Sequence, residues 1–183
     1  MIRARKRLNR LAVDELRVRC ICESLVRSSG AFRSSPLRTA SQVVNVQCAA
    51  LPWRRQDGVL EFLLITTRST RRWIIPKGWP EPGLSAAESA AREALEEAGV
   101  VGEIVARPIG TFQYVKQRRN GERLPLHVRV YPLEVMRQRR TYLEKHMRDT
   151  RWCTLKEALT HVAEPGLKRL LVKFAKAAPV AAS

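Results

Sequence analysis

At 183 residues, the chain is long enough for one domain with an ordinary hydrophobic core and short flanking segments. It carries 34 Lys and Arg against 17 Asp and Glu, a formal charge of +17. The sequence has no run of about 18 apolar residues, so no transmembrane helix is predicted. The charge predicts either a polyanionic partner (nucleic acid, a membrane surface or a highly phosphorylated small molecule) or a solvated arginine-rich surface.

The four cysteines favour an intracellular protein without a zinc site. Cys20 and Cys22 are close in sequence, but no second close pair accompanies them, as a zinc site would need. Because the sequence shows no secretory signal, we expect all four thiols, including Cys48 and Cys153, to be reduced and the protein to be cytoplasmic.

Residues 1–42 differ from the rest of the chain because many arginines stand there against three acidic residues, Asp14, Glu15 and Glu23. Leucines near the start permit a short amphipathic helix, whereas the serine-rich stretch 28–41 is typical of disorder. We expect a basic, disordered N-terminal arm. Three interpretations remain open: a dispensable arm, a transit peptide, against which the acidic residues argue, and a start codon assigned too early.

From residue 43 the pattern is that of a folded domain, which we expect to span residues 43–176, with a frayed tail at 177–183. Apolar runs at 43–51 and 59–67 predict a hairpin, because the Asp-Gly pair between them is typical of a tight turn. Trp73 to Pro76 predicts a third strand, which leads into a loop that contains Lys77 and Gly78.

The alanine-rich stretch before Val100 predicts a helix that carries a carboxylate cluster. Glu93, Glu96 and Glu97 lie three and four residues apart, so they share one face. A hard divalent cation such as Mg²⁺ or Mn²⁺ would relieve their repulsion. The alternative is a solvated acidic stripe with ion pairs such as Glu88 to Arg92. The glycine loop before the helix favours the cation, since a helix N-terminus after such a loop attracts phosphate.

After this helix, strands are predicted at 104–106, 110–116 and 126–135 and around Trp152, and the polar, basic stretch between the last two predicts a loop. Thr154 and Glu157 have the spacing of a helix capping box. Pro165-Gly166 is predicted to break that helix, with a last helix at 167–176. This order predicts an α/β (α+β) fold in which a mixed β-sheet is sandwiched between α-helices.

The stretch from Gly78 to Val100 resembles the 23-residue box of the Nudix hydrolases: Gly, five residues, Glu, seven residues, Arg-Glu, an apolar residue, any residue, Glu-Glu, any residue, Gly and an apolar residue. Seven fixed positions are matched, by Gly78, Arg92, Glu93, Glu96, Glu97, Gly99 and Val100. Leu84 departs from the box, because it stands where the family has its first glutamate. We therefore expect weaker metal affinity with retained activity, and partial compensation by Glu81 or Glu88.

Much of the predicted domain is similar to the Nudix branch that hydrolyses diphosphoinositol polyphosphates and diadenosine polyphosphates, on the basis of residues 63–82, 109–112 and 151–159. That branch has three glycines where this chain has Lys77-Gly78-Trp79, which implies a narrower, more positive pocket. A polyphosphorylated substrate needs several cations around one pocket. The predicted substrate-binding residues are Arg68, Arg71, Arg72, Lys77 and Gly78, and solvated loop arginines are the alternative.

The resemblance implies a metal-dependent pyrophosphohydrolase, in which water attacks a phosphorus of a linked diphosphate. Glu93 and Glu97 would hold Mg²⁺ or Mn²⁺, and Glu96 would bind metal, accept the proton of the attacking water, or both. Arg92 would orient a glutamate, and Glu144 in the basic loop is an alternative base. Two other interpretations remain open: a non-catalytic Nudix-fold module that binds a ligand or RNA, and an RNA 5′-pyrophosphohydrolase.

Overall fold

The computed structural model describes residues 17–19, 45–117 and 121–178. This part of the chain forms nine strands and three helices. The strands are β1 (Arg17–Arg19), β2 (Val46–Gln56), β3 (Val59–Thr66), β4 (Trp73–Ile74), β5 (Lys77–Gly78), β6 (Val100–Val105), β7 (Gly110–Gln117), β8 (Arg123–Gln138) and β9 (Thr150–Thr154). The helices are α1 (Ala86–Ala98), α2 (Leu155–His161) and α3 (Pro165–Ala177).

All nine strands belong to one mixed sheet. β2 pairs in parallel with β8 along one edge and antiparallel with β5 and β3. β8 is long enough, at 16 residues, to pair with β7 and then with β6, both antiparallel. β4 and β9 pair with β3, and β1 extends the sheet beyond β6 in parallel. The predicted mixed sheet is therefore confirmed.

Other elements cover both faces of the central strand. Residues 47–53 of β2 are buried without interruption, and consecutive buried residues in a strand mean that both of its faces are covered. Helix α1 packs against β2, β6 and β8, whereas α3 packs against β7. The ring of Phe174 in α3 lies 5.5 Å from that of Trp53 and 6.1 Å from that of Phe62, between centroids. These contacts agree with the predicted fold class.

Local signals in the sequence account for several element ends. Asp57 and Gly58 have φ angles of 51° and 77°, as a tight two-residue hairpin turn requires, so the predicted hairpin is confirmed. The capping box of Thr154 and Glu157 is also confirmed. The last helix, however, begins at Pro165 instead of after it. Proline lacks an N–H that the first turn of a helix would leave unbonded in any case, so it starts α3.

Of the predicted basic arm, the described residues are Arg17–Arg19, which form β1 and pair with residues 103–105 of β6. These three residues are not disordered as predicted, because their backbone pairs with an edge of the sheet. The serine-rich stretch, Cys20, Cys22 and most of the tail lie outside the described residues. Within the described part, no helix is long and apolar enough to cross a membrane.

Candidate functional site

Helix α1 begins with a capping box that occupies its N-terminus. Ser85 Oγ accepts the Glu88 N–H at 3.2 Å, and the Glu88 carboxylate accepts the Ser85 N–H at 2.8 Å. Hydrogen bonds from the Ser85 side chain and backbone lower the pKa of Glu88. The capping box therefore occupies part of the N-terminus at which a phosphate site is predicted, and that site stays a prediction. Glu88 is also committed to the cap, so it does not stand in for the glutamate that Leu84 replaces.

Gly78 brings the sheet directly over Glu93. Lys77 and Gly78 form β5, which pairs with Cys48 and Ala49 of β2 instead of forming a free loop. A Cβ atom at Gly78 would overlap the carboxyl group of Glu93. Glycine is thus required at this position for close approach between backbone and carboxylate.

Among the described residues, no cation pairs with the carboxylate of Glu93. Burial, and after it the negative charges of four other carboxylates, raise its pKa from 4.5 to about 7; those carboxylates are, in decreasing order of effect, Glu97, Glu96, Glu81 and Glu144. No described residue donates a hydrogen bond to it or forms an ion pair with it. A group in this state binds either a proton or a cation more readily than an ordinary glutamate does.

Glu97 lies deeper than Glu93, with 6% of its surface exposed. Its Oε2 accepts the backbone N–H of Lys77 at 3.0 Å, and its Oε1 forms an ion pair with Arg148. Burial raises the pKa of Glu97, while the Arg148 guanidinium and the Lys77 N–H oppose that shift. Both oxygens of Glu97 are therefore engaged by the protein itself.

Arg92 connects Glu96 to a carboxylate that precedes the helix. Its Nη1 lies 2.9 Å from Glu81 Oε2, and its Nε lies 3.3 Å from Glu96 Oε1. Arg92 thus pairs with Glu81 and Glu96, not with Glu88 as the acidic-stripe interpretation expected. Glu81 also contributes to the raised pKa of Glu93, so of the two glutamates expected to compensate for Leu84 it is the one that acts on the cluster.

The segment 138–144 packs against the C-terminal end of α1 and is hydrogen-bonded to it. Gln138 Nε2 donates to the carbonyl of Ala98 at 3.0 Å, and the N–H of Glu144 donates to the carbonyl of Glu96, also at 3.0 Å. The ring of Tyr142 lies where a Cβ of Gly99 would be. These contacts bring Glu144, the alternative base, beside the acidic cluster.

Arg148 is the residue that sequence reasoning missed. Its side chain is 10% exposed and binds three acceptors: Glu97 Oε1, Glu144 Oε2 at 2.5 Å and the carbonyl of Thr66 at 2.9 Å. The only signal in the sequence was the four-residue spacing of Glu144 and Arg148, which suits an ion pair. The basic composition of that stretch indicated solvent-exposed charge instead.

The four predicted substrate-binding cations divide into two pairs. Arg68 lies 3.4 Å from Glu144, and Arg71 pairs with Asp149 and donates to the carbonyl of Met147 at 3.0 Å, so both face the loop before β9. By contrast, the Lys77 ammonium lies 4.6 Å from the ring centre of Tyr114, and the Arg72 guanidinium lies 5.5 Å from it. Arg72 also pairs with Glu164 at 3.4 Å. The structure therefore brings Arg72 and Lys77 together and separates them, in their contacts, from Arg68 and Arg71.

The carboxylates of this site are chemically suited to a hard divalent cation, but they are not arranged as a set of metal ligands. The clustered carboxylate oxygens and the raised pKa of Glu93 are what such an ion would compensate. Nevertheless, in the described ranges no group of three or more His, Cys, Asp or Glu side chains is placed to hold a metal ion. Glu96 and Glu97 instead direct their oxygens to Arg92 and Arg148.

The NUDIX domain family matches residues 46–174. The chain belongs to the Nudix family. Among curated proteins, it is 32% identical over 118 residues to Nudix hydrolase 16, mitochondrial, of Arabidopsis thaliana, an alignment that covers 63% of this chain and 65% of that one. It is 37% identical over 73 residues to diphosphoinositol polyphosphate phosphohydrolase 3-beta of Bos taurus, covering 40% and 43% of the two chains.

Solved structures agree on the Nudix fold. The C. elegans Ap4A hydrolase superposes with a TM-score of 0.56 at 22% identity, over 75% of this chain and all of that one. The NUDIX domain of Shewanella oneidensis NrtR, solved with ADP ribose, also gives 0.56, at 17% identity over 75% and 91%. Identities this low show the fold alone. Moreover, the chain matches less than two thirds of the length of the first curated relatives, 65% and 58%.

Proposed function

We propose that the chain is a metal-dependent pyrophosphohydrolase that cleaves a phosphoanhydride bond in a nucleoside-diphosphate-linked or polyphosphorylated substrate, of the diadenosine polyphosphate or diphosphoinositol polyphosphate type. The observation that carries this proposal is the uncompensated carboxylate of Glu93, held beneath Gly78 and among four further glutamates. The family match supports the reaction class, and the names of the bovine and nematode relatives support the substrate class.

In this proposal the acidic residues have two roles, metal binding and proton acceptance. Glu93, Glu96 and Glu97 would hold the ion, Mg²⁺ or Mn²⁺, which when bound neutralises phosphate charge and lowers the pKa of a bound water. Glu96 or Glu144 would accept the proton of the attacking water, since both lie at the cluster and are partly exposed, at 24% and 16% of their side chains. Arg92 would keep Glu96 oriented through the contact it makes now.

The substrate phosphates would bind to the cationic side chains of the site. Arg72 and Lys77 both lie over Tyr114, and Lys77 directly precedes the glycine above Glu93. Two cations on one ring, beside the carboxylate cluster, suit a phosphate chain that runs from the cleaved bond outward. Arg68 and Arg71 would contribute through the loop with which they pair.

A panel assay tests the proposal. Dinucleoside polyphosphates, diphosphoinositols, nucleoside diphosphate sugars and triphosphorylated or capped RNA are offered with and without Mg²⁺ or Mn²⁺. We expect metal-dependent cleavage of a phosphoanhydride bond in at least one of the first two classes, with two nucleotides or inorganic phosphate as the products, and Glu97→Gln should abolish it. The matched control is Glu122→Gln, which changes an exposed glutamate just before β8 and should remain active. No turnover of any diphosphate at millimolar metal would overturn the enzymatic proposal.

The alternative is a Nudix-fold module that binds its ligand without hydrolysis. One observation favours it: the described carboxylates do not form a ready set of three metal ligands, and Leu84 removes one glutamate from the box. Under this alternative Glu97→Gln leaves ligand binding intact, and the same panel shows binding without turnover. Selective cleavage of triphosphorylated RNA would instead point to the RNA 5′-pyrophosphohydrolase, with the net charge of +17 as its support.

The proposed compartment is the cytoplasm, on the basis of the expected reduced thiols; Cys48 and Cys153 are free and buried. Several relatives carry "mitochondrial" or "chloroplastic" in their names, which supports the transit-peptide interpretation of residues 1–42 instead. A fluorescent fusion of the full chain, compared with one that starts at residue 43, distinguishes the two compartments.

A further inference from the structure

In the acidic cluster, five carboxylates lie near two guanidinium groups. Burial alone already disfavours charge on Glu93 and Glu97, and four other carboxylates raise the pKa of Glu93 further. Two largely buried guanidinium groups oppose this charge, those of Arg92 and Arg148, with 13% and 10% of their side chains exposed. The two arginines are not equivalent, however.

Arg92 binds the outer carboxylates, whereas Arg148 binds the innermost one. The partners of Arg92, Glu81 and Glu96, are 36% and 24% exposed, but Glu97 beside Arg148 is 8% exposed in its side chain. A buried carboxylate needs a cation close to it, because solvent no longer screens its charge. Arg148 meets that need in the structure.

We propose that Arg148 is a positioning residue that acts through Glu97: it holds the place of a cation on Glu97 Oε1, and it must leave that oxygen for a divalent ion to bind there. This inference rests on the proposed function. With the Lys77 N–H on Oε2 and the Arg148 guanidinium on Oε1, both oxygens of Glu97 already have a partner in the protein. This accounts for the absence, in the described part of the chain, of three convergent metal ligands.

The surroundings of Arg148 permit this exchange without unfolding of its segment. Its Nε is bonded to Glu144 at 2.5 Å and its Nη1 to the carbonyl of Thr66 at 2.9 Å, so the guanidinium keeps partners when it releases Glu97. The backbone on either side is held independently, by the Glu144 N–H on Glu96 and by the Asp149 N–H on Thr66 Oγ1 at 2.9 Å. In this proposal, metal binding at Glu97 Oε1 and the Arg148–Glu97 pair are alternative states of a fixed frame.

Calorimetric titration of the full chain with Mn²⁺, without substrate, tests the proposal. Arg148→Met removes the competing charge and keeps much of the side-chain volume, so we expect it to bind Mn²⁺ more tightly by on the order of tenfold. Arg151→Met, an exposed arginine in β9, makes the same change of net charge and should leave the affinity within about twofold of the original. Equal or weaker binding by Arg148→Met, or no binding by either protein, overturns the proposal.

A second measurement on the unaltered chain covers the case in which Arg148→Met does not fold. Phenylglyoxal modifies accessible arginines, and mass spectrometry locates the modified residues. We expect Mn²⁺ to increase the modification rate of Arg148 several-fold and to leave that of Arg151 unchanged; an unchanged rate at Arg148 overturns the proposal. Neither measurement involves turnover, so an inactive protein that shows both effects would contradict the proposed function and retain this inference.

Discussion

The acidic and the cationic halves of the site are built in different ways. The acidic half is centred on one helix, where Glu93 is partly buried and Glu97 is buried. Three of the four residues of the cationic half lie in a loop: the side chains of Arg68, Arg71 and Arg72 are 43–62% exposed, and each pairs with an acid far away in sequence.

This difference has an energetic consequence. Burial strengthens the effect of each charge in the acidic half, so removal of a buried carboxylate there should alter both the reaction and the stability. Exposed ion pairs in the cationic half are each worth less than about 1 kcal/mol, so a change there should affect substrate affinity without a measurable effect on stability.

The largest effect is expected from Glu93→Gln. The variant should lose about 10³-fold in turnover, since loss of one carboxylate removes several kcal/mol of metal-assisted stabilisation. It should also be more stable than the original chain at pH 8 without metal, by about 2 kcal/mol after allowance for partial exposure. Hydrolysis assays and thermal unfolding at several pH values measure the two effects.

The sign of the pH dependence follows from the raised pKa of Glu93, which burial and neighbouring carboxylates move from 4.5 to about 7. The folded state holds this proton more tightly than the unfolded state does. Its stabilising contribution is complete below about pH 4.5 and is lost as the pH rises through about 7. The stability difference between Glu93→Gln and the original chain should therefore vanish near pH 4.5; a difference independent of pH would contradict the assignment.

The same contrast explains what could be predicted from the sequence. The positions of Glu93, Glu96 and Glu97 on one face follow from helical spacing, and hydrophobic runs with turn residues located most strands. The partners of the loop cations could not be predicted, because Arg71 meets Asp149 and Arg72 meets Glu164 only after the sheet has formed.

Two features of the site had local signals in the sequence. Ser85 and Glu88 have the spacing of a capping box, which occupies part of the helix start at which phosphate is predicted. Glu144 and Arg148 have the spacing of an ion pair, which places a cation at the cluster. Before the structure, phosphate was expected at the first stretch and solvent-exposed charge at the second.

Gly78→Ala should give the next largest effect and isolate the geometry of the acidic half. The new methyl group would overlap the Glu93 carboxyl group, a flexible side chain that can turn away. We expect a loss of about 10²-fold in turnover, since a displacement of this size at a reacting group costs that much. The thermal midpoint should change little, because the overlap is with the end of a side chain. Full activity would show that the position of Glu93 under β5 is not required.

In the cationic half, Arg72→Ala should raise KM for a long dinucleoside polyphosphate by about tenfold, as loss of a charged contact to phosphate predicts. A dinucleoside diphosphate should be affected less, because it does not extend as far along the site. Arg71→Ala is the comparison: it breaks the contacts with Asp149 and Met147, so it should act on both substrates alike through the loop. Steady-state kinetics with the two substrates decides, and equal losses in Arg72→Ala would contradict a pocket around Tyr114.

The smallest effects should come from the two glutamates that flank Leu84. Glu88→Ala removes half of the capping box and should lower stability by about 1 kcal/mol without changing turnover, because its carboxylate is bonded to Ser85 and not to the cluster. Glu81→Gln should do the reverse: it weakens the contact with Arg92 and removes one charge near Glu93, so Mn²⁺ affinity should fall several-fold with little change in thermal midpoint. If Glu88→Ala lowered metal affinity as much as Glu81→Gln, then Glu88 would be the residue that compensates for Leu84, and the division between cap and cluster would be wrong.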